Sequence, residues 1–484
     1  MFMVFTVPSR FRWVFCQLQA LRHCLAPRVR HILKELPETL DETYERILKD
    51  INKANWDHAY RLLQCLTVAV RPLHVAELAE VLAVDFGTAS HGGTSKLNTN
   101  WRWEDQQDAV LSACSSLISI VDEYGVQVVQ FSHFSVKEFL TSSRIAGSSA
   151  DISRFHILLE PAHTTLAEAC LVVLQRLGEL VDEDNVKDKF PLARYAAEHW
   201  VDHAQLENVS SHIREGMEHF FDPDKPHFAS WLQVHDVDTQ PSRESVLYWF
   251  ADLTCKESNE ATPLYYAALC GFHDLVDQLI IKHPQQVNAA SGYYVSPLAA
   301  ALSGGHLKIA QLLYERGANV DVRGRNKCTP LDGASSSGQL EIVQWLLNRS
   351  VNPNDRDENG WTPLHSAASF GRIEVSLLLI QYQADNNAQD SDGQTPLHLA
   401  SKAGHVNTAR LLLKHGADIN VRDNLLNTPL VGAVKRRRLE VARLLVEHGA
   451  NIDAEDDEGR TAFHVASEYG YHDIAKMLSD HGSK

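Results

Sequence analysis

A Thr-Pro pair or a near equivalent recurs through the second half of this 484-residue chain on an almost fixed step. It stands at Thr262-Pro263, Ser296-Pro297, Thr329-Pro330, Thr362-Pro363, Thr395-Pro396, Thr428-Pro429 and Thr461-Ala462, the first step a single position longer than the five equal steps after it. A period of about 33 residues constrains the fold more than any other feature, because a unit so small cannot bury its own apolar face and must stack on its neighbours. Each unit repeats one physical plan. The Thr or Ser hydroxyl caps a helix, and Pro suits the first helical position, where no N–H is needed. His365, His398 and His464 follow their Thr by three residues, within reach of the cap. Nine residues after the Thr comes a helix-ending glycine: Gly271, Gly305, Gly338, Gly371, Gly404 and Gly470. A second apolar helix follows, such as Val441-Ala442-Arg443-Leu444-Leu445-Val446. A turn like Gly416-Ala417-Asp418-Ile419-Asn420 closes the unit.

Thr395-Pro396-Leu397-His398-Leu399-Ala400, with Gly404-His405 and Gly416-Ala417-Asp418 behind it, resembles the ankyrin repeat almost letter for letter. The resemblance covers about residues 259–484 and implies stacked antiparallel helix pairs joined by outward hairpin loops. Arg437 departs from it, standing where a glycine is expected, and a side chain at positive φ predicts a locally looser sixth repeat. Ala462 replaces Pro in the seventh repeat, whose last helix is polar outside, as a terminal cap would be. Tyr265 and Tyr266 make the first repeat atypical.

In ankyrin proteins the partner usually lies in the groove formed by hairpin tips and the ends of the first helices. Carried over by position, the resemblance assigns that surface to Tyr293, Arg325, Glu358, Trp361, Phe370, Lys402, Leu425, Lys435, Arg436, Arg460, Glu468 and Tyr469. The set is rich in Trp, Tyr, Phe and Arg, residue types that concentrate binding energy. Packing of Trp361 and Phe370 on neighbouring hairpins is the plainer alternative. The run Lys435-Arg436-Arg437-Arg438 fits a nuclear-import signal or, more commonly, a solvated turn between helices.

The first half reads differently. Apolar spacing predicts helix within residues 18–49, with Pro37 opening a new segment and Thr39 and Glu42 forming a capping box. Helices follow over 57–70 and Val75–Leu82. Two β-like runs, 117–121 and 127–131, flank a turn signal, and helix resumes over 133–140. Helices leading into a two-stranded wing predict a winged-helix module. Phe11-Arg12-Trp13-Val14-Phe15-Cys16-Gln17-Leu18, Leu36-Pro37-Glu38-Thr39-Leu40-Asp41-Glu42-Thr43-Tyr44 and Phe131-Ser132-His133-Phe134-Ser135-Val136-Lys137-Glu138-Phe139-Leu140 resemble the segment after the nucleotide-binding core of fungal NACHT–ankyrin proteins, which are NLR-like, STAND-type signalling molecules. Pro191-Leu192-Ala193-Arg194-Tyr195-Ala196-Ala197-Glu198-His199-Trp200 is similar to that family's linker helices. Met1–Ser9 departs from the family pattern, which suggests a truncated gene product.

Those relatives carry a P-loop, and this chain has no Gly-x-x-x-x-Gly-Lys-Ser/Thr. The nearest approach, residues 87–94, lacks the lysine that would meet the phosphates. No nucleotide or other cofactor is therefore expected. His199 and His203 have helical i, i+4 spacing, but no third ligand follows, so no metal is expected either. A serine-hydrolase elbow is absent, and the chain is read as a non-enzyme.

A net charge of −17 opposes phosphate neutralisation, and the helix over 74–82 carries Glu77 and Glu80 with no Lys or Arg, so nucleic acid is not the expected partner. No apolar run approaches the ~20 residues that span a bilayer. The cysteines Cys16, Cys24, Cys65, Cys114, Cys170, Cys255, Cys270 and Cys328 are scattered, which points to a reducing compartment: the cytoplasm, with the nucleus second.

The expectation is a mainly α chain in three parts: a helical and winged-helix region (11–150), a helical linker (151–250) and an ankyrin α-solenoid of seven repeats (251–484). Its expected work is protein–protein interaction through the groove, regulatory in NLR-like signalling. The second reading is a STAND-type nucleotide switch whose P-loop half is missing from this chain.

Overall fold

The structure is a computed structural model that describes residues 39–87, 95–103, 105–114, 116–123, 125–177, 190–206, 208–234, 262–290, 292, 294–324 and 327–482. The chain divides into two compact units, Met1–Asp236 and Val237–Lys484. Tyr293, Arg325, the Phe11–Leu18 motif and most of the glycine-rich stretch at 87–94 lie outside the described residues.

In the first unit, α1 (Leu40–Asp50) opens on the expected capping box: the Glu42 N–H donates to Thr39 Oγ1 at 3.2 Å, and the Thr39 N–H to Glu42 Oε2 at 3.4 Å. Next come α2 (Trp56–Val68), β1 (Leu73–His74), α3 (Val75–Leu82) and α4 (Gln106–Cys114). A hairpin of β2 (Ile118–Glu123) and β3 (Val126–Phe131) follows, in antiparallel register with Ile118 opposite Phe131. β1 joins the far side of β3, so the sheet order is β1-β3-β2. Strand, two helices and a hairpin returning to the first strand make the winged-helix plan. Its core holds Leu62, Leu63, Leu73, Leu78, Val81, Val110 and Val129. Helix α5 (Phe134–Thr141) is capped by the His133 ring, whose Nδ1 accepts the Ser135 N–H at 3.2 Å.

The segment expected as a linker supplies more of this unit's core. Helix α6 (Leu159–Leu177) packs on α2, and α7 (Ala193–Ala204) packs on α6. Trp200, Phe220, Phe221, Phe228 and Trp231 pack as edge-on and tilted rings in one buried cluster, with the Trp231 indole donating to the Ala197 carbonyl at 3.1 Å.

The second unit is a run of helix pairs. The first helices are Pro263–Leu269, Pro297–Ser303, Pro330–Ser337, Pro363–Ser369, Pro396–Ala403, Pro429–Lys435 and Ala462–Glu468. Each is followed by a second helix, from His273–Lys282 in the first repeat to His472–Gly482 in the seventh. First helices pack on first helices and second on second.

Three polar ladders lock neighbouring repeats in register. At the cap, His365 Nδ1 accepts the Thr362 N–H at 3.1 Å, which leaves Nε2 as the donor to the Gln394 carbonyl of the next repeat at 3.0 Å. His398 does the same from Thr395 to Asn427. Tyr265 takes this place in the first repeat, its hydroxyl accepting the Tyr294 N–H at 3.1 Å. After the helix-ending glycine, or Arg437 in its place, His306, Gln339, Arg372, His405 and Arg438 each reach back to a carbonyl of the preceding repeat. In the closing turns, Asn288, Asn354, Asn387 and Asn420 accept the N–H of Asn319, Asp385, Asp418 and Asn451 through Oδ1.

Glycine is needed at the turn for two reasons at Gly371. Its φ is +68°, and a Cβ there would lie 2.6 Å from His405 Nδ1. Arg437 keeps the same turn at φ +56°, with its N–H on the Val434 carbonyl at 2.8 Å and its guanidinium over the Tyr471 ring at 5.4 Å. The turn is therefore strained but closed, with the Arg437 guanidinium stacked on Tyr471.

Candidate interaction surface on the repeats

The groove surface is organised by aspartates that the sequence reading passed over. Asp357, Asp390, Asp423 and Asp456 recur on the same period as the Thr-Pro pairs, each five positions before the Thr. Each bends its hairpin by accepting backbone N–H groups two and four residues on, as Asp423 Oδ1 does from Leu425 at 3.0 Å and Asn427 at 2.8 Å. Their fixed step was the available signal.

These acids capture the basic residues assigned to the groove. Lys402 Nζ lies 3.5 Å from Asp423 and donates to Gln394 at 2.9 Å. Lys435 Nζ lies 3.1 Å from Asp456 and donates to Asn427 at 2.7 Å. The Arg460 guanidinium meets Asp456, Glu458 and Glu468 at 3.0–3.2 Å. Burial alone would raise Asp456, but the Arg460 N–H, the Arg460 side chain and Lys435 outweigh it and hold the carboxyl at about 2. Lys402 and Lys435 are thus half-buried tethers between repeats and Arg460 is a half-buried brace within the last one, whereas Arg436 is exposed.

Earlier in the array the same acids stand without a lysine at that position, because Ser336 and Ser369 occupy it. Burial raises Asp357 and Asp390 against the backbone N–H bonds that favour their charged forms. Trp361 is half-buried; its backbone N–H goes to Asp357 Oδ1 at 2.8 Å, its ring stacks on His365 at 6.3 Å, and its side chain hydrogen-bonds Asp390. Phe370 ends its helix half-buried. Both line a cavity of about 100 Å³, together with residues of the second and third repeats. At the far end Leu425 and Tyr469 are exposed by 57% and 52%. Glu358 and Glu468 are exposed as well.

One reading in the first unit needs correction. Glu77 and Glu80 do not face outward as a repulsive surface; both are buried and paired. Glu77 holds the Arg71 guanidinium bidentately at 2.6 and 2.8 Å and caps its helix through the His74 N–H. Glu80 pairs with Arg102 and accepts the Leu192 N–H at 2.7 Å, joining α3 to the start of α7. The helix before the wing, α4, carries Asp108 and no Lys or Arg.

His199 and His203 do not converge. His199 Nδ1 sits 3.1 Å from Asp202, while His203 is fully buried between His163 Nδ1 and the Tyr195 hydroxyl, each at 2.9 Å. The Tyr195 oxygen accepts the Val70 N–H at 3.2 Å, so its proton points to His203 Nε2, and His203 Nδ1 donates to His163. Burial, then the repulsion that protonation would meet from His163, hold His203 down at about 4, so the ring is neutral. Among the described residues no group of His, Cys, Asp and Glu is arranged to hold a metal ion. No helix among them is long and apolar enough to cross a membrane.

A face of hairpins and helix ends, pinned by repeating ladders and lined with aromatic and acidic side chains, defines a repeat-built binding protein. The family profile described as Ankyrin repeats (3 copies) matches residues 239–324, 264–357, 331–423 and 424–484, just over half the chain, and the chain belongs to the ankyrin-repeat family. The profile described as GPI inositol-deacylase, winged helix domain matches residues 45–153. The chain is also similar to the azaphilone pigments biosynthesis cluster protein L of Monascus ruber, at 34% identity over 282 residues. That alignment covers 55% of this chain and 57% of the relative, so the chain spans little more than half the length of the protein it matches.

Proposed function

We propose that this protein works without catalysis, binding a protein partner on the hairpin-and-first-helix face of its repeats, as a regulatory component of NLR-like signalling. The observation that carries the reading is the pairing of rigid support with exposed apolar tips. Leu425 protrudes from a hairpin tied to both neighbours, through the Asn424 N–H on the Asp392 carbonyl and the Asp457 N–H on the Leu425 carbonyl, and Tyr469 from a helix end closed by its own N–H on the Val465 carbonyl. Apolar side chains fixed in the open cost solvation in the free chain and lose little entropy on docking. Ankyrin repeats imply a protein partner, and a winged helix preceding them is the order expected of the NACHT–ankyrin proteins that the sequence resembles.

Among the described cysteines, all are free, and burial pushes the Cys65 and Cys114 thiols up to about 12. This supports inert thiols in a reducing compartment, and we assign the protein to the cytoplasm on that ground. The Monascus relative belongs to a biosynthetic cluster by name. A regulatory place beside such a cluster is compatible with binding as the whole activity.

The test is a quantitative pull-down with the full chain, a Leu425→Glu/Tyr469→Ala double variant and an Ile281→Glu variant, whose exposed side chain lies on a second helix. Partners lost by the double variant and kept by Ile281→Glu support the face assigned here. Equal recovery from all three proteins, or saturable ATP binding by the unmodified chain, overturns it.

A further inference from the structure

The third repeat differs from its neighbours at two adjacent positions of its first helix. Asp332 stands where the fourth and fifth repeats have His365 and His398, and Gly333 where they have Ser366 and Leu399. The exchange has a geometric result. A Cβ placed on Gly333 would meet nothing within 4 Å, and the space it leaves is the cavity of about 100 Å³. That is room for a side-chain head group rather than a single water. Tyr294 and Leu302 line one part, Trp361 and Phe370 another, and Asp332 lies among them.

Asp332 is only 4% exposed. Its Oδ2 is used twice, accepting the Thr329 N–H at 2.7 Å and the Thr329 hydroxyl at 2.8 Å. Its Oδ1 is buried and takes no hydrogen bond from any described residue. A buried carboxylate oxygen left open is costly, and a donor that fills it recovers that cost. Burial raises this carboxyl to about 7 against the Thr329 bonds, and the nearby Asp357 and Asp355 carboxylates raise it further. The region therefore favours an incoming positive charge. Its described arginines are turned elsewhere, Arg323 to Asp355 at 2.9 Å and Arg356 to the Gly360 carbonyl at 3.3 Å. The later repeats answer their acids with Lys402, Lys435 and Arg460; here Ser336 and Ser369 hold the lysine positions.

We propose that this cavity takes the guanidinium of an arginine presented by a partner protein, flanked by the Trp361 and Phe370 rings and donating to Asp332 Oδ1. A planar, weakly hydrated cation suits aromatic walls better than a compact ammonium does, which selects arginine over lysine. The proposal rests on the groove being the partner-binding face and adds which chemical group the partner must bring.

Selection of a displayed random-peptide library on the full chain tests it. The expected winners carry arginine at one constant position. Replacing that arginine with neutral citrulline weakens binding about tenfold or more on the unaltered chain, as loss of a charged hydrogen bond would. On Asp332→Asn, which keeps an acceptor for the Thr329 cap, the same replacement costs under about twofold, the mark of a charge-specific pair. Gly333→Leu fills the cavity and lowers affinity as well, with circular dichroism and melting showing an intact fold. Winners without a basic residue, or a citrulline cost unchanged by Asp332→Asn, overturn the proposal. If such peptides still depend on Leu425 and Tyr469, the groove reading survives alone. A selection that enriches nothing, or peptides indifferent to every groove variant, counts against both.

Discussion

The two units of this chain hold themselves together by opposite means. In the repeats many polar contacts are rungs of a ladder with copies one repeat away, as the His365 and His398 caps show. In the first unit the contacts that join distant elements are single, and they span long stretches of chain: Glu80 to Leu192 is 112 residues, and Val70 to Tyr195 is 125. A rung can be lost with its neighbours still in place, whereas a unique long-range bond takes a whole packing arrangement with it.

That contrast is open to attack by mutation. The largest effect is expected from Glu80→Ala, which strips the buried Leu192 N–H and the Arg102 guanidinium of their acceptor. Removing one partner of a buried pair costs roughly 3–5 kcal/mol. Urea unfolding followed through the Trp200–Trp231 cluster should show the first unit's transition moved as a block; a shift below about 1 kcal/mol, the scale of an exposed pair, would make this contact an ordinary surface bridge.

Acidification comes next. Burial lowers His203, His365 and His398 to about 4 from an ordinary 6.5. The unfolded chain takes up the protons first, so their stabilisation is complete above pH 6.5 and is lost as pH falls from there towards 4. The loss is on the order of 2–3 kcal/mol per ring. Asp332, raised to about 7, acts in the opposite sense, its contribution fading as pH rises from 3.8 through 7. Melting between pH 7.5 and 4.5 should therefore show a shallower slope in His398→Asn than in the unaltered chain.

His398→Ala at neutral pH tests the rung itself. It deletes the Thr395 cap contact and the bond to Asn427, for about 2 kcal/mol, with His365 still in place. A loss as large as that of Glu80→Ala would erase the distinction between the units. The smallest change is a gain: Gly333→Ala puts a methyl into open space within a helix and should stabilise the repeats by about 1 kcal/mol.

How much of this was readable beforehand follows the same divide. The constant step between repeats displayed the caps, the proline starts and the turn glycines directly, since each is a local requirement of one residue type. Within the first unit, local signals also held: the Thr39–Glu42 box, the Val75–Leu82 helix, and a wing offset by one or two residues from the runs expected. What escaped were partners. Nothing near Glu80 in the chain announces Leu192, and a lysine at a helix end looks like groove chemistry until Asp423 is seen beside it. The Asp332 cavity was hidden for another reason, since it comes from a side chain that Gly333 does not have.

The asparagine rungs all point the same way: the side chain of one turn always receives the amide of the turn that follows it in the chain. Each block that carries this asparagine thus offers the same socket to the block that follows. A duplicated block would find its connectors already cut, so the number of blocks can drift between generations while the joints between them stay unchanged.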